Sequence, residues 1–273
     1  MTRHGVALHK NTWTVEEVGG LTLVFSPLLK AERQLTHAFT TRVGGESQKP
    51  LDSFNLGRHW PTDESRRDAM RNRQRLCSVF ELTFNRLVVP GQVHSSKIAW
   101  VTGPESLPDC DGVATVSPDT PILLHYADCV PIIIFDRELS ATAVLHAGWR
   151  GTASGIARKA VRLLSETLGS QGEHLVAAVG PAIGSCCYPT AGDVADRLLS
   201  SVDRQDGLVE VRDGKPYPDL KAINAVQLIE AGVGHVDVTS LCTACHPDMF
   251  YSHRRESGQT GRQGALACLR GEH

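Results

Sequence analysis

Residues 125–151 read HYADCVPIIIFDRELSATAVLHAGWRG. The run VPIIIF at 130–135 has the β-branched, apolar content of a core strand, and DRELS then breaks it with charge. ATAVLHA follows and leads into a glycine corner. These features predict a strand, a turn and a second strand. The two outer ends of a hairpin lie side by side. Cys129 is expected just before the first strand and His146 just after the second. The hairpin therefore brings a thiol and an imidazole to one end of a sheet.

Strands and helices alternate irregularly on either side of this stretch. Upstream, residues 1–20 carry little pattern and are expected to form an N-terminal extension. Short strands are predicted over 21–25, 35–40, 87–89, 98–101 and 112–116, with a helix over 63–80. Downstream, a helix is predicted after Gly151, capped by Thr152 or Ser154 and stopped by Gly169. A strand over 175–179 ends in Gly180-Pro181-Ala182-Ile183-Gly184. Further helices are expected over 193–199 and 219–231, and strands over 236–238 and 265–269. No repeat or low-complexity linker divides the chain. The pattern favours one α/β domain with a mixed sheet and helices outside it.

The totals exclude several classes. The 273 residues are 41% hydrophobic and 21% charged, and 28 basic residues face 30 acidic ones. That balance offers no basic footprint for nucleic acid. Arg66, Arg67, Arg71, Arg73 and Arg75 lie at helical spacing among acids and read as a solvated face. No apolar run is long enough to cross a bilayer, and no export signal is visible at the start. A cytoplasmic setting is expected, in which the eight cysteines are buried, metal-binding or catalytic.

His94 also falls at a strand boundary, after Pro90-Gly91. One thiolate and two imidazoles suit zinc, and three protein ligands leave a fourth position open for water or substrate. Spacing alone leaves other readings open. Cys129 and His146 also suit a metal-free cysteine hydrolase, with the thiol as nucleophile and the imidazole as base. A third reading is a metal-binding interaction protein without turnover. Copper oxidase chemistry on phenols fits less well, because there is no His-x-His pair and the only methionines are Met1, Met70 and Met249. Asp128 precedes Cys129 and is placed to act as a general base or to orient a ligand.

Two further cysteine groups stand out. Cys242-Thr-Ala-Cys245-His246 matches a haem-attachment pattern, which the missing export signal argues against. A zinc knuckle would need a second pair, and no second CxxC or HxxxH is present, so these read as loop cysteines. Cys186 and Cys187 read as walls of the glycine loop at 180–184, whose bare N–H groups suit an anion. Arg42, Arg150, Arg254, Arg255 and Arg262 are candidate phosphate grips.

Eight blocks then carry a resemblance. FTTRVGG, SFNLG, GQVHSS, ADCVPIIIFD, LHAGWRG, GPAIGSCCY, DLKAINAVQLIEAGV and CTACHPDMFYSHRRESGQTGRQGA occur in this order. Over roughly residues 35–269 the chain resembles the YfiH/laccase-domain family, whose members bear polyphenol oxidase names and are described as purine nucleoside phosphorylases. The resemblance implies a single α/β/β/α sandwich over residues 21–273. It implies a zinc site on His94, Cys129 and His146, with copper as the alternative metal. It implies phosphorolysis of adenosine, inosine, guanosine and methylthioadenosine to base and ribose 1-phosphate, with adenosine deamination beside it. Asp128, Cys129 and His146 are then the expected catalytic residues, and Arg42, Asn55, Arg150 and Gly180 the expected substrate wall. Three positions depart from the family blocks: Ser95, Tyr126 and Pro189.

Overall fold

The computed structural model describes residues 7, 8 and 12–271. In chain order its strands are β1 (Ala7–Leu8), β2 (Thr14–Val18), β3 (Leu21–Phe25), β4 (Leu35–Thr40), β5 (Ile98–Trp100), β6 (Gly112–Thr115) and β7 (Ile122–Tyr126). They continue as β8 (Val130–Asp136), β9 (Ala141–Ala147), β10 (Leu175–Val179), β11 (Val209–Arg212), β12 (Lys215–Pro218), β13 (His235–Val238) and β14 (Gln263–Leu269). The helices are α1 (Pro27–Lys30), α2 (Asp63–Val79), α3 (Trp149–Ala153), α4 (Ile156–Leu168), α5 (Gly192–Leu199) and α6 (Leu220–Glu230).

A mixed seven-stranded sheet has the order β1-β13-β10-β8-β9-β6-β5, and a five-stranded antiparallel sheet the order β2-β3-β4-β14-β7. The hairpin β8–β9 lies at the centre of the larger sheet, with Pro131 opposite His146. Its side chains explain the unbroken apolar run. Val130, Ile132 and Ile134 pack toward α4 and α6, while Ile133 and Phe135 pack toward the other sheet. A strand covered on both faces has no solvent side to mark with polar residues. The smaller sheet alternates in the same way. Leu124, Ala265 and Ala267 face the inter-sheet core, whereas Leu123 and Leu266 face Leu76 of α2. The layers are therefore helices, sheet, sheet, helix, the α/β/β/α order expected.

Several local expectations need correction. Residues 1–6 and 9–11 of the expected extension lie outside the described residues, but β2 pairs along its length with β3 and belongs to the smaller sheet. His146 lies within β9 rather than after it. The predicted strand at 87–89 is a single bridge, Val88 to Ile122. The helix after the glycine corner begins earlier, at Trp149, and breaks at Gly155, whose φ of 72° suits glycine. Thr152 is therefore no cap, and its hydroxyl instead accepts from Asn224 Nδ2 at 2.9 Å. Arg73 does not belong to a solvated face; it is buried.

The chain crosses between the sheets at 127–129, from β7 in the smaller sheet to β8 in the larger. This crossing places Asp128 and Cys129 at the seam, beside the end of β9.

Candidate metal centre

His94, Cys129 and His146 come together, with their ligand atoms all within 4.8 Å of one another. The two imidazole rings meet edge to face, with centroids 5.0 Å apart. Metal–nitrogen bonds near 2.0 Å and metal–sulfur bonds near 2.3 Å need donors about 3–4 Å apart, so the set can hold a metal ion after small adjustments.

Asp111 organises this set and was not singled out in the sequence. It is fully buried. Its Oδ1 accepts from His146 Nδ1 at 2.9 Å and from the His94 backbone N–H at 3.0 Å. Its Oδ2 accepts from the Ser95 N–H at 2.6 Å and the Ser95 hydroxyl at 2.8 Å. A carboxylate only accepts, so Nδ1 of His146 carries a proton and Nε2 is left facing the centre as the donor that a metal would take. The Ser95 hydroxyl thus gives the departure at that position a structural use. Burial would raise the Asp111 carboxyl, but its hydrogen bonds from His146 and Ser95 hold it at about 2. Only its sequence setting, a strand-opening Asp-Gly, offered a signal.

Backbone strain marks the same place. His94 has φ of 60° and Asp128 has φ of 86°, both in the left-handed region that non-glycine residues avoid. The Asp111 hydrogen bonds to successive N–H groups hold the first of these turns. Gly148 is needed for space. A Cβ there would lie 3.0 Å from His94 Cδ2 and 3.1 Å from Cys129 Sγ.

The thiol and the imidazole perturb each other. Burial would raise the Cys129 thiol, but the adjacent His146 and His94 bring it down to about 6. Burial would lower His146, but the Cys129 sulfur and Asp111 bring it up to about 9. The favoured form is a thiolate beside a proton-rich imidazole, which a cation can replace.

Asp128 is more constrained than expected for a proton carrier. Its Oδ1 accepts from the Thr243 hydroxyl at 2.6 Å, and its Oδ2 from the Arg254 N–H at 2.7 Å and the Ser252 hydroxyl at 3.1 Å. It pins residues 243–254 against the metal centre.

The centre opens into a cavity of about 1060 Å³. Trp149 and Tyr188 lie on its wall, each with an arginine over its ring: Arg150 at 4.4 Å and Arg254 at 5.0 Å. Arg58, Arg73 and Arg262 line the cavity with His59, His125 and His253. Arg73 is anchored by a bond from Nε to the Leu56 carbonyl at 2.9 Å, and its Nη2 meets His125 Nε2 at 3.1 Å. Burial and the nearby Arg73 and Arg262 keep His125 well below the usual histidine range, so it is neutral and accepts from Arg73. Burial and the neighbouring Arg58 lower Arg73 to about 10, leaving it charged at neutral pH.

Of the expected substrate wall, Arg150 lines the cavity and Arg42, Asn55 and Gly180 do not. Arg42 donates to the Asp52 carbonyl at 3.0 Å and to Glu256 at 3.1 Å, and stacks on Tyr251. Asn55 accepts from the N–H groups of Gly57 at 3.0 Å and Arg262 at 2.9 Å, so it shapes the wall from behind. Gly180 is demanded by packing, because a Cβ there would meet the Phe39 ring at 2.3 Å. Arg255 is spent on the carbonyls of Thr243, Ala244 and Phe250. Tyr126 is buried between the sheets and borders the cavity.

A two-sheet sandwich with a His-Cys-His centre at the seam defines a recognisable class. Residues 36–270 match the family described as multi-copper polyphenol oxidoreductase laccase, and the chain belongs to this laccase-domain family. It is 36% identical over 247 residues to purine nucleoside phosphorylase YlmD of Geobacillus stearothermophilus, covering 85% of this chain and 89% of that one. It is 31% identical over 257 residues to human purine nucleoside phosphorylase LACC1, covering 90% of this chain and 57% of the relative. The crystal structure of YlmD from Geobacillus stearothermophilus superposes with a TM-score of 0.86 at 34% identity, covering 92% of this chain and 97% of that one. Bacillus licheniformis YfiH does so with a TM-score of 0.84 at 32% identity, covering 93% and 98%.

Proposed function

We propose that this protein is a zinc-dependent purine nucleoside phosphorylase. One observation carries the reading: a single cavity has a His-Cys-His donor set at one place and a cluster of arginines at another, Arg73 buried, Arg262 half-buried and Arg58 exposed. Phosphorolysis needs a place for an anion and a means of easing the departure of the base. The names of the relatives point the same way.

His94, Cys129 and His146 would hold the metal, which supplies Lewis acidity for polarising a leaving group or activating water. Arg58, Arg73 and Arg262 would bind phosphate, with Arg73 steadied by neutral His125. Trp149 and Tyr188 offer faces on which a purine can stack. Burial and the nearby Cys129 sulfur push the Tyr188 phenol up to about 12, so its hydroxyl stays protonated and can donate to a base nitrogen. Asp128 acts by positioning, since both its oxygens are occupied. The same cavity would accept adenosine, inosine, guanosine and methylthioadenosine, with adenosine deamination as a side activity in which water adds at purine C6 and ammonia leaves.

The test is chromatography of products from each nucleoside, with and without phosphate, alongside metal analysis. Free base and ribose 1-phosphate should form only with phosphate and zinc. Alanine at His94 or His146, or serine at Cys129, should abolish both bound zinc at this centre and turnover. Turnover that survives these changes would defeat the assignment. The family description also supports a copper reading, for which oxygen uptake with a phenol after copper loading is the deciding measurement.

A further inference from the structure

The cysteines that the sequence left as loop residues form a second cluster. The sulfurs of Cys186, Cys187, Cys242 and Cys245 all lie within 4.8 Å of one another. The partner that Cys242 and Cys245 lacked in sequence is thus the adjacent pair Cys186-Cys187, which a parallel bridge between Ala182 and Cys242 brings alongside. Cys186 and Cys187 lie in a short 3-10 turn, Ser185–Cys187. The Cys245 sulfur is 3.5 Å from that of Cys186 and 3.4 Å from that of Cys187. A disulfide would need about 2.05 Å. A tetrahedral ion with metal–sulfur bonds of about 2.3 Å would place its sulfurs about 3.8 Å apart. The observed spacing belongs to the second arrangement.

Backbone N–H groups turn toward the Cys242 sulfur. Gly184 donates its N–H to the Cys242 sulfur at 3.2 Å. The N–H groups of Cys245 and Ala244 bond to the same sulfur. These N–H groups lie two and three residues beyond Cys242, as in a metal knuckle that folds its own backbone around a sulfur. Binding a divalent ion would release four thiol protons and leave two net negative charges. Three cations hold the carbonyls around the cluster. Buried Lys221 donates to Thr239 and Leu241 at 2.8 and 2.9 Å. Arg255 donates to Thr243 at 2.7 Å, and Arg212 to Ser185 at 3.3 Å. Arg212 and Arg255 also pair with Glu210 and Glu256.

We propose that Cys186, Cys187, Cys242 and Cys245 form a second, structural metal site of four thiolates that takes zinc. Four protein sulfurs close the coordination shell, so this ion does no chemistry on substrate. It clips the loop after β10 to residues 242–245. Thr243, inside the knuckle, donates to Asp128, so the clip also holds the turn that presents Cys129. The outer cysteines, Cys186 and Cys245, are exposed, while Cys242 is buried, so an ion can load from the surface.

The test is zinc titration of the reduced, full-length protein with metal counting, for wild type, C186S/C245S and C129S. Both serine changes in the double variant are at exposed positions. Wild type should bind two ions, and each variant one. In the cobalt-loaded protein, C129S should keep most of the sulfur-to-cobalt charge-transfer absorption, because four thiolates remain, and C186S/C245S should lose most of it. A single ion in wild type that C186S/C245S retains and C129S loses would overturn the proposal. So would a disulfide among the four cysteines in protein isolated under reducing conditions. A single ion retained by C129S and lost by C186S/C245S would support the clip and count instead against metal at His94, Cys129 and His146.

Discussion

Asp111 sets the orientation of His146 from thirty-five residues away, and it holds the strained turn at His94 with the same carboxylate. Outer partners of metal-binding histidines typically contribute 10–100-fold in affinity. Asp111→Asn should therefore weaken zinc binding at this centre by about 10–100-fold, because an amide can present its N–H to His146 and favour the wrong tautomer. Competition with a chromophoric chelator measures this, and an unchanged affinity would remove Asp111 from the centre. Gly148→Ala tests space rather than charge. Its new methyl would press on His94 and Cys129, so zinc affinity should fall while the far-ultraviolet dichroism of the fold persists. At this scale the His-Cys-His cluster was legible in the sequence, because its three residues stood near strand ends. Asp111 and Arg73 were not, because an aspartate before a glycine and an arginine on a charged helix look like a turn and a solvated face. Their roles come from partners supplied by distant strands and loops.

Among the elements, β4 carries a buried histidine with a measurable consequence. His37 accepts at Nε2 from the Ser26 N–H at 3.2 Å and lies between Phe25 and Phe39. Burial, with some help from Lys30, lowers it to about 3. In the unfolded chain it would titrate near its ordinary value of about 6.5. Between these values only the unfolded chain binds the proton, so stability falls as pH drops from about 6.5 toward 3, by up to about 1.4 kcal/mol per pH unit. His125 contributes with the same sign. His37→Gln should make the acid limb of a stability–pH curve shallower by up to that slope, as read by denaturant unfolding at several pH values. Parallel limbs would show that His37 does not titrate this way. The central hairpin was legible because β8 is apolar on both faces and its turn is charged. The break between α3 and α4 was not, since Gly155 reads as one more tolerated small residue until its positive φ is seen. The bridge joining Ala182 to Cys242 was equally hidden, because residues sixty apart gave no local sign of pairing.

For the whole molecule, the crossing at 127–129 makes the metal centre a fastening between two sheets. His146 and Cys129 sit at the end of the larger sheet, and Tyr126 one step away belongs to the smaller. A ligand that binds only the folded form adds about 2.7 kcal/mol at a concentration one hundred times its dissociation constant. Zinc should therefore raise the melting temperature in a concentration-dependent way and slow hydrogen exchange in β7, β8 and β9 together. Protection confined to one sheet would argue against the seam. The order of the smaller sheet has a further consequence, which concerns synthesis. β14 lies between β4 and β7 and pairs with both. Those two strands are made more than a hundred residues earlier, and each keeps an open apolar edge until residues 263–269 leave the ribosome. The hairpin that bears Cys129 and His146 can form during translation, but the wall that carries Arg262 closes only when β14 arrives. The nascent chain thus assembles its His-Cys-His cluster before its cavity, and the two unpaired edges stay open to wrong pairing until β14 is made.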